Sequence, residues 1–171
     1  MTLTPYVFLV LAVGVERVAE LIVSEQHARW AFAHGGVEYG RSHYGVIAAV
    51  HAAMLVCCVG EVAVTDRPFL PWLGWPMLTV VLAAQALRWW CIASLGKQWN
   101  TRVIIVPGLP LVATGPYRWL RHPNYVAVAV EMFALPMVHT AWVTAVGFSV
   151  ANLGLMAVRI PIEERALATA R

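Results

Sequence analysis

The chain is short of charge. Only 12% of its 171 residues are Asp, Glu, Lys or Arg, against about 25% in a soluble domain. Hydrophobic residues make up 60%, and the mean hydropathy is +0.69. That deficit excludes an ordinary water-soluble globule and places the chain in the membrane class. Its length suits one helical bundle without a second domain, so residues 1–171 are read as a single unit. Cysteine is scarce as well. Cys57, Cys58 and Cys91 lie inside apolar runs without metal-ligand spacing, so they are expected as buried small hydrophobes and no metal site is expected. A basic n-region is missing, and Glu16, Arg17 and Glu20 interrupt the first apolar run, which argues against a cleavable signal peptide. Repeats, low-complexity tracts and flexible linkers are absent. The net charge of +3 does not point to nucleic acid, because the basic residues sit mostly in loops between apolar runs.

What is abundant is the long apolar run. A bilayer core needs about 20 mostly apolar residues per helix, and five segments qualify: 4–23, 44–64, 70–95, 124–138 and 141–160. The expected fold is therefore all-α, a membrane bundle of about five helices. Its last two helices form a tight hairpin around 137–140, and 96–123 is the longest polar connection. With five spans, Arg29, Arg41, Lys97, Arg102, Arg118, Arg121, Arg159, Arg165 and Arg171 share one side, and the other holds only Arg67. By the positive-inside rule the N-terminus is outside and the long loop cytoplasmic. The expected location is a membrane.

Ionisable groups inside spans are costly, so by default they are functional candidates facing the bundle interior. Helical spacing puts Glu16, Glu20 and Ser24 on one face, and likewise Tyr44 with His51, Gln85 with Arg88, Asn124 with Glu131, and Asn152 with Arg159. Two readings stand: intramembrane ion pairs such as Glu16 or Glu20 with Arg88, or a polar cavity opening inward. The tryptophans of the third segment (Trp72, Trp75, Trp89, Trp90) read as interfacial anchors and packing. Gly14, Gly147 and Gly154 are compatible with self-association, and the oligomeric state stays open.

The densest polar stretch is Gly115-Pro116-Tyr117-Arg118-Trp119-Leu120-Arg121-His122-Pro123-Asn124-Tyr125. Gly115-Pro116 permits a tight turn. His122 precedes a proline and is disfavoured from helical geometry. Pro123 suits the first helical position, so a helix with exposed amide hydrogens starts there. Arg118 and Arg121 can pair with a carboxylate, and Tyr117 and Tyr125 offer stacking faces and hydroxyls. Further on, Arg159 and Glu163 share a face, Glu164 and Arg165 follow, and Pro161 is expected to kink the exit. A carboxylate there suits the ammonium of an amino-acid-like cofactor; a solvated amphipathic tail is the alternative.

The ordered set Leu111-Val112, Gly115 to Trp119, Arg121 to Tyr125, Arg159-Ile160 and Glu163-Glu164 resembles the isoprenylcysteine carboxyl methyltransferase family, over somewhat less than half of the chain. The resemblance implies a membrane enzyme using S-adenosylmethionine. It implies a cofactor region of Arg102, Leu109, Pro110, Leu111, Val112, Tyr117, His122, Pro123, Asn124, Tyr125 and Glu163, with Arg159 near the substrate. The chain departs from the family at Leu109, where a histidine is common, and at Pro161, which replaces an acidic position. Its N-terminal half is similar to that of small bacterial members, some of which methylate hydroxyls of lipid-like polyketides such as alkylpyrones. That resemblance implies a bacterial inner (plasma) membrane as the location. Methyl transfer from a sulfonium is in-line, and positioning dominates it. A carboxylate acceptor needs no base, whereas a hydroxyl benefits from one. Arg159 and Arg118 are candidates to stabilise an anionic oxygen. His51 is a candidate base, with a buried structural histidine as the alternative. The expected function is methyl transfer to an oxygen of a lipophilic acceptor that enters from the bilayer, while the cofactor enters from the cytosol. Membrane lipid is the expected surrounding partner. Competing readings are a phospholipid N-methyltransferase, a nicotinamide-dependent membrane reductase and a non-catalytic scaffold.

Overall fold

The computed structural model describes residues 2–169; Arg171, counted above among the basic residues of one side, lies outside them. Five helices follow one another: α1 (Leu3–Ala33), α2 (Arg41–Thr65), α3 (Pro71–Leu95), α4 (Pro123–Met137) and α5 (Trp142–Thr169). The predominantly α-helical membrane bundle expected from the apolar runs is what forms. Between α1 and α2 lies β1 (Val37–Tyr39), which pairs antiparallel with β2 (Val103–Ile105) after α3, Glu38 opposite Ile104. This two-stranded ribbon links the α1–α2 and α3–α4 connections and leaves the all-α class of the bundle unchanged.

Three of the helices, over His43–Thr65, Pro71–Gln98 and Trp142–Thr169, are long and apolar enough to cross a membrane by length and composition. The other two fall short for visible reasons. α1 carries Glu16, Arg17 and Glu20 within its apolar run. α4 has 15 residues, about 22 Å of helix, against a hydrocarbon core of about 30 Å. Short and apolar, α4 is instead the packing centre, lodged between α3 and α5 with Ala127, Met132, Ala134 and Leu135 fully enclosed. Its hairpin to α5 turns through Thr140 in the left-handed region (φ 56°).

The N-terminal end of α5 is capped from another helix. Glu61 of α2 accepts hydrogen bonds from the backbone amides of Val143 (3.3 Å) and Thr144 (2.7 Å) and is paired with Arg67 (3.1 Å). A carboxylate on unpaired amides at a helix N-terminus is favoured by hydrogen bonding and dipole alike. α5 runs through Pro161 to Thr169. Cys58 and Cys91 are buried as expected, but Cys57 is exposed on the outward face of α2. On α3, Trp72 and Trp75 lie exposed near one end, and Trp89 and Trp90 near the other.

Candidate functional site

At the end of the bundle that carries most of the basic residues, all five helices and β2 surround one cavity of about 400 Å³, a size that suits a small ligand. The turn 115–118 is seated against α3 because residue 115 is glycine. Its φ is +58°, and a Cβ there would collide with the side chain of Ser94. This seating brings Tyr117 to the cavity and beside Cys91, where burial, foremost, and the thiol hold the Tyr117 phenol above the usual tyrosine range. It therefore stays a neutral hydroxyl.

Pro123 starts α4 at its first turn, as expected. It is buried, and the residues flanking it, His122, Asn124 and Tyr125, line the cavity. From α5, Arg159 and Glu163 reach the same place. The Tyr125 hydroxyl donates to Glu163 Oε2 (2.5 Å) and accepts from Arg159 Nε (2.8 Å). Arg159 Nη2 also donates to the backbone carbonyl of Thr101. His122 is held by the same helix, its Nε2 3.2 Å from Glu164 Oε1 and its Nδ1 3.9 Å from Glu163 Oε1. One arginine thus ties α4, α5 and the segment after α3 into a polar cluster. Glu163, half-buried, belongs to this cluster, whereas Glu164 is exposed and touches it through His122.

Opposite stands the segment 99–102. Ser24 of α1 pairs with Asn100 and Thr101, its Oγ 2.7 Å from Thr101 Oγ1. Thr101 reaches the Tyr44 hydroxyl at 3.4 Å. Arg102 donates to Glu25 (2.9 Å) and faces Glu38 (3.8 Å). Two buried polar atoms on cavity-lining residues lack a partner: Trp99 Nε1, a donor, and Asn124 Oδ1, an acceptor.

Deeper in the bundle, the expected ion pair forms and is larger than expected. Arg88 makes a two-nitrogen contact with Glu20, while Arg17 bonds Glu20, Gln85 and Glu131, each at 2.7 Å. Glu16 takes Gln85 and the Trp89 indole (2.6 Å), so Trp89 is not solely an interfacial anchor. The two readings of these intramembrane charges merge, because Arg17, Glu20 and Arg88 also line the cavity. His51 lines it too, with Nδ1 2.8 Å from the Ile47 carbonyl. A carbonyl only accepts, so Nδ1 carries the proton and Nε2 holds the lone pair. The wall here is apolar: Val18 and Leu21 of α1 and Ala48 and Ala52 of α2 line the cavity and are exposed.

Of the residues singled out in the sequence, Arg102, Tyr117, His122, Asn124, Tyr125, Glu163, Arg159 and His51 line this one cavity. Leu109, Pro110, Leu111 and Val112 do not. The first three are exposed, in a loop tied back by Gln98 Nε2 donating to the Pro110 carbonyl (3.4 Å). Arg118 is exposed as well, its guanidinium over the Trp119 ring at 5.9 Å. Sequence reasoning missed Trp99, Asn100 and Thr101. The signal available was a polar pair placed directly after a long apolar helix, beside Trp99.

Residues 77–169, which comprise most of α3 and all of α4 and α5, match the isoprenylcysteine carboxyl methyltransferase family. The chain belongs to that family. Membership of the isoprenylcysteine carboxyl methyltransferase family makes it a membrane methyltransferase by class, with the cavity formed around the matched helices. Relatives extend over nearly the whole chain. One is an uncharacterized protein of Bacillus subtilis, YpbQ, 39% identical over 154 residues and covering 90% of each chain. Another is an uncharacterized protein of Haemophilus influenzae, 25% identical over 154 residues and covering 88% of each.

Proposed function

We propose that this protein transfers a methyl group from S-adenosylmethionine to an oxygen, carboxylate or hydroxyl, of a lipophilic acceptor at the cytoplasmic face of the plasma membrane, with its N-terminus outside. The observation that carries the reading is one cavity with two kinds of wall. The Tyr125–Arg159–Glu163 cluster lies at the basic end, and an apolar wall of α1 and α2 lies deeper.

The residues fit such a cofactor. An orphaned donor on Trp99 and an orphaned acceptor on Asn124 suit a nucleoside edge. The Glu163 carboxylate suits an α-ammonium, and the His122 and Tyr125 rings offer apolar faces. Bound there, S-adenosylmethionine supplies an electrophilic methyl on a sulfonium. Arg159 would hold an anionic acceptor oxygen, since it lines the cavity with Nε held by the Tyr125 hydroxyl and Nη2 by the Thr101 carbonyl. For a hydroxyl acceptor, such as the alkylpyrones of similar bacterial proteins, His51 Nε2 would take the proton. The exposed position of Arg118 suits the membrane surface better than the reacting oxygen. The apolar, exposed α1–α2 wall supports entry of the acceptor from the bilayer, in a membrane lipid environment.

Calorimetry on the detergent-purified protein tests this reading, with S-adenosylhomocysteine and NADPH as ligands. Micromolar binding of S-adenosylhomocysteine, weakened about ten- to hundred-fold by Glu163→Ala, is the expected result. Binding of NADPH alone would replace the reading by a reductase.

A further inference from the structure

We propose that Arg118 and Arg121, on either side of Trp119, form a docking site for the phosphate headgroup of an anionic phospholipid. Neither arginine lines the cavity, and the site does not depend on which reaction the cavity performs.

The charge is one-sided. From Gly96 to Val130 the chain contains no Asp or Glu, but it holds Lys97, Arg102, Arg118 and Arg121. Arg102 is paired, with Glu25 and Glu38. Arg118 and Arg121 are exposed, and among the described residues neither forms an ion pair. The acids that meet the adjoining His122 and Tyr125, Glu163 and Glu164, are engaged there. Trp119 fixes the depth of the site. Its ring is 67% exposed, with Leu120 exposed beside it, and apolar surface left open in this way marks contact with a membrane or a partner. Trp90 decides for the membrane. It is exposed near the basic end of α3, a helix of spanning length, and its ring lies against that of Trp119 with centroids 5.9 Å apart. Tryptophans at the ends of spanning helices sit at headgroup level, so Trp119 sits there as well.

Arg118 is held at the same level, its guanidinium over the Trp119 ring at 5.9 Å. A contact through the guanidinium face leaves its N–H edge free, and that planar fork matches the oxygens of a phosphate. The turn presents both arginines from a fixed backbone, since the amides of Trp119 and Leu120 donate to the Pro116 carbonyl (3.2 and 3.1 Å). A zwitterionic head brings its own cation and leaves two positive charges unbalanced, whereas a net negative head neutralises them. An acidic protein segment would satisfy the charges without bringing hydrocarbon to Trp119 and Leu120.

The test uses the full chain in phosphatidylcholine nanodiscs holding a minority of lipid brominated near the top of its acyl chains, with either a phosphatidylglycerol or a phosphatidylcholine head. Bromine quenches nearby indoles, and the difference between wild type and Trp119→Phe reports Trp119. The brominated phosphatidylglycerol is expected to quench this signal at about ten-fold lower mole fraction than the brominated phosphatidylcholine. Arg118→Gln/Arg121→Gln should abolish that preference and leave the unfolding midpoint unchanged. Absence of quenching by either lipid would place Trp119 in water and overturn the proposal. Equal quenching by both lipids, or a preference that survives in the double variant, would overturn it too. Loss of the preference on adding inorganic phosphate at constant ionic strength would make this a site for the free anion instead.

Discussion

Tyr125 is the pivot of the polar cluster, since its hydroxyl is at once donor to Glu163 and acceptor from Arg159. Replacing it by phenylalanine keeps the ring and its packing but leaves both charged partners without the atom between them. Charge-assisted hydrogen bonds of this kind contribute about 1.5–3 kcal/mol. Tyr125→Phe is therefore expected to weaken S-adenosylhomocysteine binding about ten-fold in calorimetry while the unfolding midpoint barely moves. Wild-type affinity in that variant would show that the cluster is only scaffolding. Tyr117 makes a different prediction. Its folded pKa is raised, so it stays protonated where an unfolded tyrosine ionises. The sign is fixed: its contribution is intact below about pH 10 and declines as pH rises above that. Detergent unfolding followed across this alkaline range should give a shallower decline for Tyr117→Phe than for the wild type.

Helices α1, α3 and α4 are tied by a cluster of two arginines and three glutamates, Arg17, Arg88, Glu16, Glu20 and Glu131. Removing one partner of a buried pair strands the other, at about 3–5 kcal/mol. Arg88→Met should thus lower the unfolding midpoint far more than the double variant Glu20→Gln/Arg88→Met, and equal losses would argue against the pair. At the other end, Glu61→Ala uncaps α5 and should cost about 1 kcal/mol without altering cofactor affinity. The existence of these helices was legible because long apolar runs are hard to mistake, even where the run is interrupted, as in α1, or short of bilayer length, as in α4. Their ends were not: α1 continues past residue 23 to Ala33, because hydrophobic length does not report a helix extending beyond the membrane. The ribbon was invisible for another reason, since strands of three residues carry no usable period. Spacing did reveal that Glu20, His51, Arg88 and Arg159 face inward. It missed Arg17, whose helical face differs from that of Glu16, and Thr101, which contributes a backbone carbonyl to Arg159.

For the molecule as a whole, orientation is the first thing to measure. In a background with Cys57, Cys58 and Cys91 replaced by alanine, a cysteine at Asp66 should react with an impermeant maleimide on intact cells. One at Gly108 should react only after lysis, and the reverse pattern would invert the proposed topology. The family match begins within α3, yet Gly14, Glu20, Tyr44 and His51 from the first two helices complete the chamber. The two parts are joined at the basic end by backbone pairing of residues 37–39 with 103–105, a linkage indifferent to side-chain identity. Under the proposed function the bundle has a donor-handling back and an exchangeable front, provided the exchanged front keeps Arg17, Glu20 and Glu61 for their partners on α4, α3 and α5. Grafting α1 and α2 from the Bacillus relative onto this α3–α5 should change which acceptors are used and leave methyl-donor affinity as it was.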